Sequence, residues 1–229
     1  MSIRGPGSAG AVRRLLWKDA LAESRGFERM FTLGVFAVAV LLTFHFSVPV
    51  TSDARGIAGA GFLWAALVFA CLLELRRTFA DERADGTLDA LRAAPVEPVA
   101  IFAAKLISNL VVVGALSAGL AVLTGGLFTE DLSGVPAAFG VLVLGAVGLL
   151  AWGTLFAALA AGVRSGELVL GILLFPLVVP QTIAGVRLVG HYLGAAPLDD
   201  PLTGFVLMAA FDVLSLGTAI LLFDYALEE

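Results

Sequence analysis

Lysine, cysteine and histidine are close to absent: the 229-residue chain holds two lysines, one cysteine and two histidines, and 14% of its residues are charged. Each scarcity excludes something. The single cysteine, Cys71, lies inside an apolar run, so neither a disulfide framework nor a Cys-rich metal or iron–sulfur centre is available. Lys18 is followed by Asp19 and Lys105 by Leu106, so the phosphate-binding pattern GxxxxGK[ST] cannot occur anywhere in the chain. ATP, if it drives this protein, must be bound by another chain. With neither HExxH nor CxxC, and with two histidines far apart, hydrolytic metal chemistry has no ligand set. No catalytic residues, no metal and no directly bound cofactor are therefore expected. A formal charge of −5 argues against nucleic acid as a partner.

What the chain does have is apolar length. Hydrophobic residues make up 59% of it, against about 45–50% in soluble domains. Six apolar runs, at roughly 30–50, 57–75, 99–127, 135–162, 168–186 and 203–223, are each long enough to cross about 30 Å of hydrocarbon. The expected fold class is an all-α integral membrane protein of six transmembrane helices, preceded by an amphipathic interfacial helix over residues 1–29 and followed by a short tail, 224–229. The first 29 residues lack the compact apolar core of a cleavable signal peptide. On a helical wheel Arg14, Lys18, Arg25 and Arg29 form one stripe, opposite Val12, Leu16, Ala20, Phe27 and Met30. Such a helix lies along a membrane surface and binds its lipids, either as a plain anchor or as a brace for a partner subunit. Twelve of the 14 Lys and Arg residues fall on the side of the N-terminus and the 76–98 loop, with Arg55 and Arg187 on the other. This bias predicts that both termini are cytoplasmic. No internal repeat relates the two halves, which weakens the case for an inverted-repeat carrier.

The longest connection, Arg76 to Pro98, reads RRTFADERADGTLDALRAAPVEP. Asp81, Glu82, Arg83 and Asp85 cluster just after the second span. Gly86 permits a turn, and Thr87 can cap a short helix carrying Leu88 and Leu91 on one face. Pro95 and Pro98 end that helix. A short amphipathic helix flanked by charge suits docking into a groove of a soluble partner; a solvated charged loop is the alternative.

These residues resemble a known family. The pattern Glu82-x-x-x-Gly86-Thr87-Leu88-x-x-Leu91-x-x-x-Pro95, between spans two and three of a six-span chain, is similar to the coupling segment of ABC-2-type exporter permeases. Within that superfamily the match is to the cytochrome c maturation permeases, the haem exporter protein B (CcmB) family. It rests also on GVRSGE (Gly162–Glu167) and on LLFPLVVPQTI (Leu173–Ile183), and together the three cover a little under half the chain. The Gly162–Glu167 turn has fewer glycines than the family pattern. The resemblance implies a separate ABC ATPase subunit, two permeases on two ATPases, and a location in the bacterial inner membrane. It further implies a haem-handling Trp-rich membrane subunit, a small membrane subunit and a haem chaperone, with haem as cargo of the complex. Trp17, Trp64 and Trp152 are too widely spaced for this chain to be the Trp-rich subunit.

Polar residues inside the spans are the remaining candidates. Asp212 lies near the middle of span six, and an intramembrane carboxylate is costly. Asn109, read as lying at a similar depth in span three, is its expected hydrogen-bond partner, with Ser108 the alternative. Pro176 and Pro180 each remove a helical donor and are expected to kink span five, with Gln181 serving a freed carbonyl, as a gate or as a packing adaptation. Gly153, Ala157 and Ala161 offer a close helix-packing face. His45 and His191 are expected on the outer side, where imidazole is a conceivable haem ligand, and Cys71 reads as a small packing residue. Two other functions compete with haem handling: export of a lipid or other amphiphile by an ABC-2 mechanism, and a secondary transporter or structural subunit that uses no ATP.

Overall fold

The computed structural model of the chain describes residues 10, 26–47, 52–79, 96–128, 132–161 and 166–228. Among the described residues the regular structure is entirely helical. The helices are α1 (Gly26–Ser47), α2 (Ser52–Leu75), α3 (Pro98–Phe128), α4 (Val135–Ala161), α5 (Gly166–Tyr192) and α6 (Pro201–Glu228). Each contains a stretch long and apolar enough to cross a membrane. Helix is the necessary form: hydrocarbon offers no partner for a bare N–H or C=O, so each span must satisfy its own backbone. The expected spans correspond to these six helices, with span five running on to Tyr192. The expected interfacial helix of residues 1–29 lies almost wholly outside the described residues.

Helix α4 occupies the centre. It packs against α3, α5 and α6 and also touches α2, whereas α1 rests on α2 and α3. Of its apolar span 78% is buried, against 22% for α6 and 17% for α1. Composition explains the placement, because α4 carries small residues wherever a neighbour comes close. Gly153 lies so near the Leu75 side chain that an added Cβ would sit 2.0 Å from Leu75 Cδ1. Gly145 of α4 and Gly185 of α5 both face Trp64 of α2, where a Cβ would come within 2.2 Å and 1.8 Å of indole atoms. Trp64 is thus a knob 1% exposed, wedged between two glycine hollows.

Consecutive helices run antiparallel, so the bundle has one end bearing the 76–98 segment and an opposite end bearing the α1–α2, α3–α4 and α5–α6 connections. At that opposite end, α5 closes with a Schellman turn. The Ala195 N–H donates to Gly190 O at 2.8 Å and the Gly194 N–H to His191 O at 3.0 Å, with Gly194 at φ 72°. The turn places Ala195 against Gly56 and the Tyr192 carbonyl against Gly134, both approaches closed to any larger residue. Asp200 then caps α6, accepting from the Leu202 N–H at 3.1 Å and from the Thr203 hydroxyl. Pro201 follows, where the missing N–H costs no helical bond. Those two donors, the Thr203 hydroxyl first, hold the Asp200 carboxyl below its ordinary value.

Helix α5 is unbroken through both prolines. Pro176 and Pro180 lie on its exposed face with Ile172, Phe175, Val179 and Ile183, while Gln181 turns inward. The two prolines therefore sit on the rim of the bundle, away from its interior.

Candidate functional site

Two polar layers cross the bundle. The deeper one joins α5 to α6: Gln181 Nε2 donates to Asp212 Oδ1 at 2.7 Å, and the two residues are 1% and 5% exposed. Both lie 11 residues from the opposite end of the bundle, Gln181 counted back from Tyr192 and Asp212 onward from Pro201. At about 1.5 Å per residue that is roughly 16 Å in from the helix end, so the antiparallel hairpin brings them level. Room for the pair comes from α4. A Cβ on Gly148 would lie 2.3 Å from Asp212 Oδ1 and 2.8 Å from Gln181 Nε2. The Ser215 hydroxyl, also buried, donates to the Asp212 carbonyl at 2.9 Å and keeps that turn of α6 closed.

The second layer lies at the 76–98 end. Beyond Leu75 the chain makes a turn through Arg76–Phe79, with the Thr78 N–H donating to Leu75 O at 3.1 Å. Asn109 Nδ2 donates to Thr78 Oγ1 at 3.0 Å, and the Lys105 ammonium stands 5.5 Å over the Phe79 ring. Helix α3, with 31 residues, is about 46 Å long, well beyond the ~30 Å of hydrocarbon. Its first turns overhang the end of α2, and Asn109 is level with that end. Glu74, 0% exposed in the last turn of α2, adds a buried carboxyl to the same region.

The expected pairing of Asp212 with Asn109 or Ser108 is therefore corrected: Asp212 pairs with Gln181, and Asn109 with Thr78. Equal residue counts into two spans gave the wrong depth because α6 runs on to Glu228, which leaves Asp212 16 residues from that end while Asn109 is 11 from Pro98. Gln181, expected to serve a carbonyl freed by the prolines, faces the opposite way and serves the carboxyl of α6. Glu74 was missed, although an acid inside the last apolar turn of span two, in LLEL, was a readable signal.

Both histidines lie at the end opposite the 76–98 segment, each among its own neighbours. His45 packs edge-on against Phe46 and Phe128, at centroid distances of 5.0 and 5.1 Å. His191 stacks edge-on with Tyr192, and its Nδ1 accepts the Leu198 N–H at 2.9 Å. That bond spends one ring nitrogen of His191 on closing the α5–α6 turn. No group of three or more His, Cys, Asp or Glu side chains converges as a metal site among the described residues. Cys71 is buried with a free thiol. Asp81, Glu82, Arg83, Gly86, Thr87, Leu88, Leu91 and Pro95 lie outside the described residues, as does most of the Gly162–Glu167 turn.

Comparison with known proteins shows the family. The family model described as CcmB protein matches residues 11–228. Heme exporter protein B of Paracoccus denitrificans is 36% identical over 209 residues, covering 91% of this chain and 94% of the relative. The protein of that name from Rhodobacter capsulatus is 33% identical over 198 residues, 83% of this chain and 88% of the relative. The one from Pseudomonas aeruginosa is 30% identical over 156 residues, 66% and 68%. With a family model spanning nearly its whole length and a relative 36% identical over 91% of it, the chain belongs to the CcmB family.

Proposed function

We propose that this chain is the membrane-spanning permease subunit of an ABC-type haem exporter, working in cytochrome c maturation. The observation that carries the reading is the family match over residues 11–228, together with relatives named heme exporter protein B. Six apolar helices fit a subunit that acts within the bilayer or at its edge. ATP is hydrolysed on a separate ATPase subunit, and the work is delivered here as motion of helices.

In this reading the 76–98 segment is the receiver. Leu88 and Leu91 dock into the ATPase, with Asp81, Glu82 and Arg83 around them, Gly86 and Thr87 starting the short helix and Pro95 ending it. The described flanks support that role. The Arg76–Phe79 turn and the first turns of α3 are joined by the Thr78–Asn109 bond and by Lys105 over Phe79, so a push on the segment reaches α2 and α3 together. The charge bias of the chain supports a cytoplasmic location for this end and for both termini, and the membrane in this reading is the bacterial inner membrane. Haem is handled at the opposite end, with haem delivery or release of a haem chaperone as the output. Two copies of the chain pair with two ATPases, beside a Trp-rich haem-handling subunit and a small membrane subunit.

The test is purification of the tagged protein from its own cells in mild detergent, with mass spectrometry of what accompanies it. An ABC ATPase together with haem-handling partners is the expected result. An ATPase without them points to another amphiphilic cargo, and no ATPase in several detergents overturns the reading. Leu88→Asp with Leu91→Asp is expected to release the ATPase while the permease still inserts; retention of the ATPase removes the segment from the coupling role.

A further inference from the structure

The Gln181–Asp212 contact leaves two atoms unaccounted for. Gln181 Nε2 donates to Asp212 Oδ1 at 2.7 Å, yet Gln181 Oε1 and Asp212 Oδ2 are both buried and both without a hydrogen-bond partner. Each is an acceptor if the carboxyl is ionised, and an uncompensated acceptor in a dry interior is strongly disfavoured. A side-chain amide and a carboxylic acid have a second way to meet. The amide N–H donates to one carboxyl oxygen while the acid O–H donates to the amide oxygen, closing a ring with two hydrogen bonds. A single proton on Oδ2 satisfies both orphaned atoms at once.

The surroundings favour the neutral acid. Helix α6 packs against α3, α4 and α5. Helix α4 has no titratable residue between Val135 and Ala161. On α5 the titratable residues are Glu167, Arg187, His191 and Tyr192. Arg187 is exposed and six residues from Gln181, and His191 and Tyr192 lie at the helix end. Helix α3 offers Lys105, which stands over Phe79, about 18 Å further along the bundle axis than Asp212. The other ionisable groups of α6, Asp224, Tyr225 and Glu228, lie three or more turns away. Among the described residues no cation shares the level of Asp212, and the Gly148 backbone closes the third side.

We propose that Asp212 and Gln181 form a proton-binding site across the α5–α6 seam. A proton from water adds to Asp212 Oδ2, taking the side chain from −1 to neutral, and the new O–H donates to Gln181 Oε1. Loss of that proton leaves two buried oxygens without a donor, so release goes with separation of α5 from α6 and entry of water. The site is a proton-dependent latch between the two helices. It stands on geometry alone and holds whatever cargo the complex handles.

The test is infrared difference spectroscopy of the full-length protein in lipid nanodiscs, with isotope-labelled aspartate carboxyls to separate Asp212 from Glu74. At pH 7 a protonated aspartic acid band is expected, lost in full in Asp212→Asn. In Gln181→Met the band is expected to persist and move to the higher frequency of an unbonded acid. The Gln181 variant assigns the band by itself if Asp212→Asn does not fold. Absence of any protonated aspartate band in folded wild-type protein at pH 7 overturns the proposal, in favour of an ionised carboxylate served by a bound water or metal cation. A band that Gln181→Met leaves unmoved overturns the pairing.

Discussion

The two polar layers are built alike and sit in different surroundings. Thr78–Asn109 and Gln181–Asp212 each join adjacent antiparallel helices across 31 residues of sequence, at 3.0 and 2.7 Å. The first joins two neutral side chains where α2 ends and the chain turns, beside Lys105. The second has an acid in the dry middle of the bundle, against a glycine of the most buried helix. The same device, a side-chain bond across a hairpin, therefore fastens the bundle at one end and makes a switchable contact at its middle. What separates them is the neighbourhood: both pairs are buried, but Lys105 stands beside one, and the Gly148 backbone of α4 lies against the other.

The sharpest way to break the comparison is to fill the space that the deep pair uses. Gly148→Val puts a branched side chain where Asp212 Oδ1 and Gln181 Nε2 lie, and is expected to cost about 1–3 kcal/mol or more through overpacking. The measurement is the unfolding midpoint in detergent, and an unchanged midpoint refutes the close approach. Next, a double-mutant cycle on Gln181→Met and Asp212→Leu is expected to give a coupling of about 1–2 kcal/mol, the upper part of the range for polar contacts between membrane helices. The corresponding cycle on Thr78→Val and Asn109→Leu is expected near 0.6 kcal/mol, the ordinary value for such contacts. If the two couplings are equal, the depth of the pair has no energetic meaning.

Asn109→Leu is nevertheless expected to lower the stimulation of the ATPase by the permease more than it lowers stability, because the Thr78 bond joins the two helices that flank the 76–98 segment. ATPase rate of the reconstituted complex against midpoint separates these effects. The smallest expected change is at Asp200. Its depressed carboxyl stabilises the start of α6 above the unfolded value near 3.9, and that contribution fades as pH falls through the lower folded value. At pH 7 it is fully present. Asp200→Asn is therefore expected to lower stability slightly at neutral pH and to flatten the acid limb of the profile below about pH 4, where the wild-type protein loses the same contribution.

The six spans were legible in the sequence because length and apolar content suffice to define them. Gly153 was likewise legible as a site of close helix packing, since small residues four apart have that meaning in lipid. The partner of Asp212 was not legible. The residue counts of Asn109 and Asp212 into their spans agreed, but α6 runs on beyond its apolar run to Glu228, so Asp212 lies deeper than Asn109. Gln181 was read through the neighbouring prolines, whereas its direction is set by α5 turning Pro176 and Pro180 outward. Trp64 showed nothing in sequence of the two glycines, 81 and 121 residues further on, that receive it.

The sequence by itself determined that the chain forms six long helices, since hydrocarbon leaves the backbone no other partner and the apolar runs set where each one lies along the chain. Only the tertiary structure decided which face of each helix meets which neighbour. In a soluble protein the polar face of a helix marks the outside. Here lipid and protein interior are equally apolar, so hydropathy is nearly uniform around each span and carries no direction. The direction comes from shape and from a few polar atoms: glycines that admit Trp64 and Leu75, and a carboxyl and an amide that must meet because neither has water.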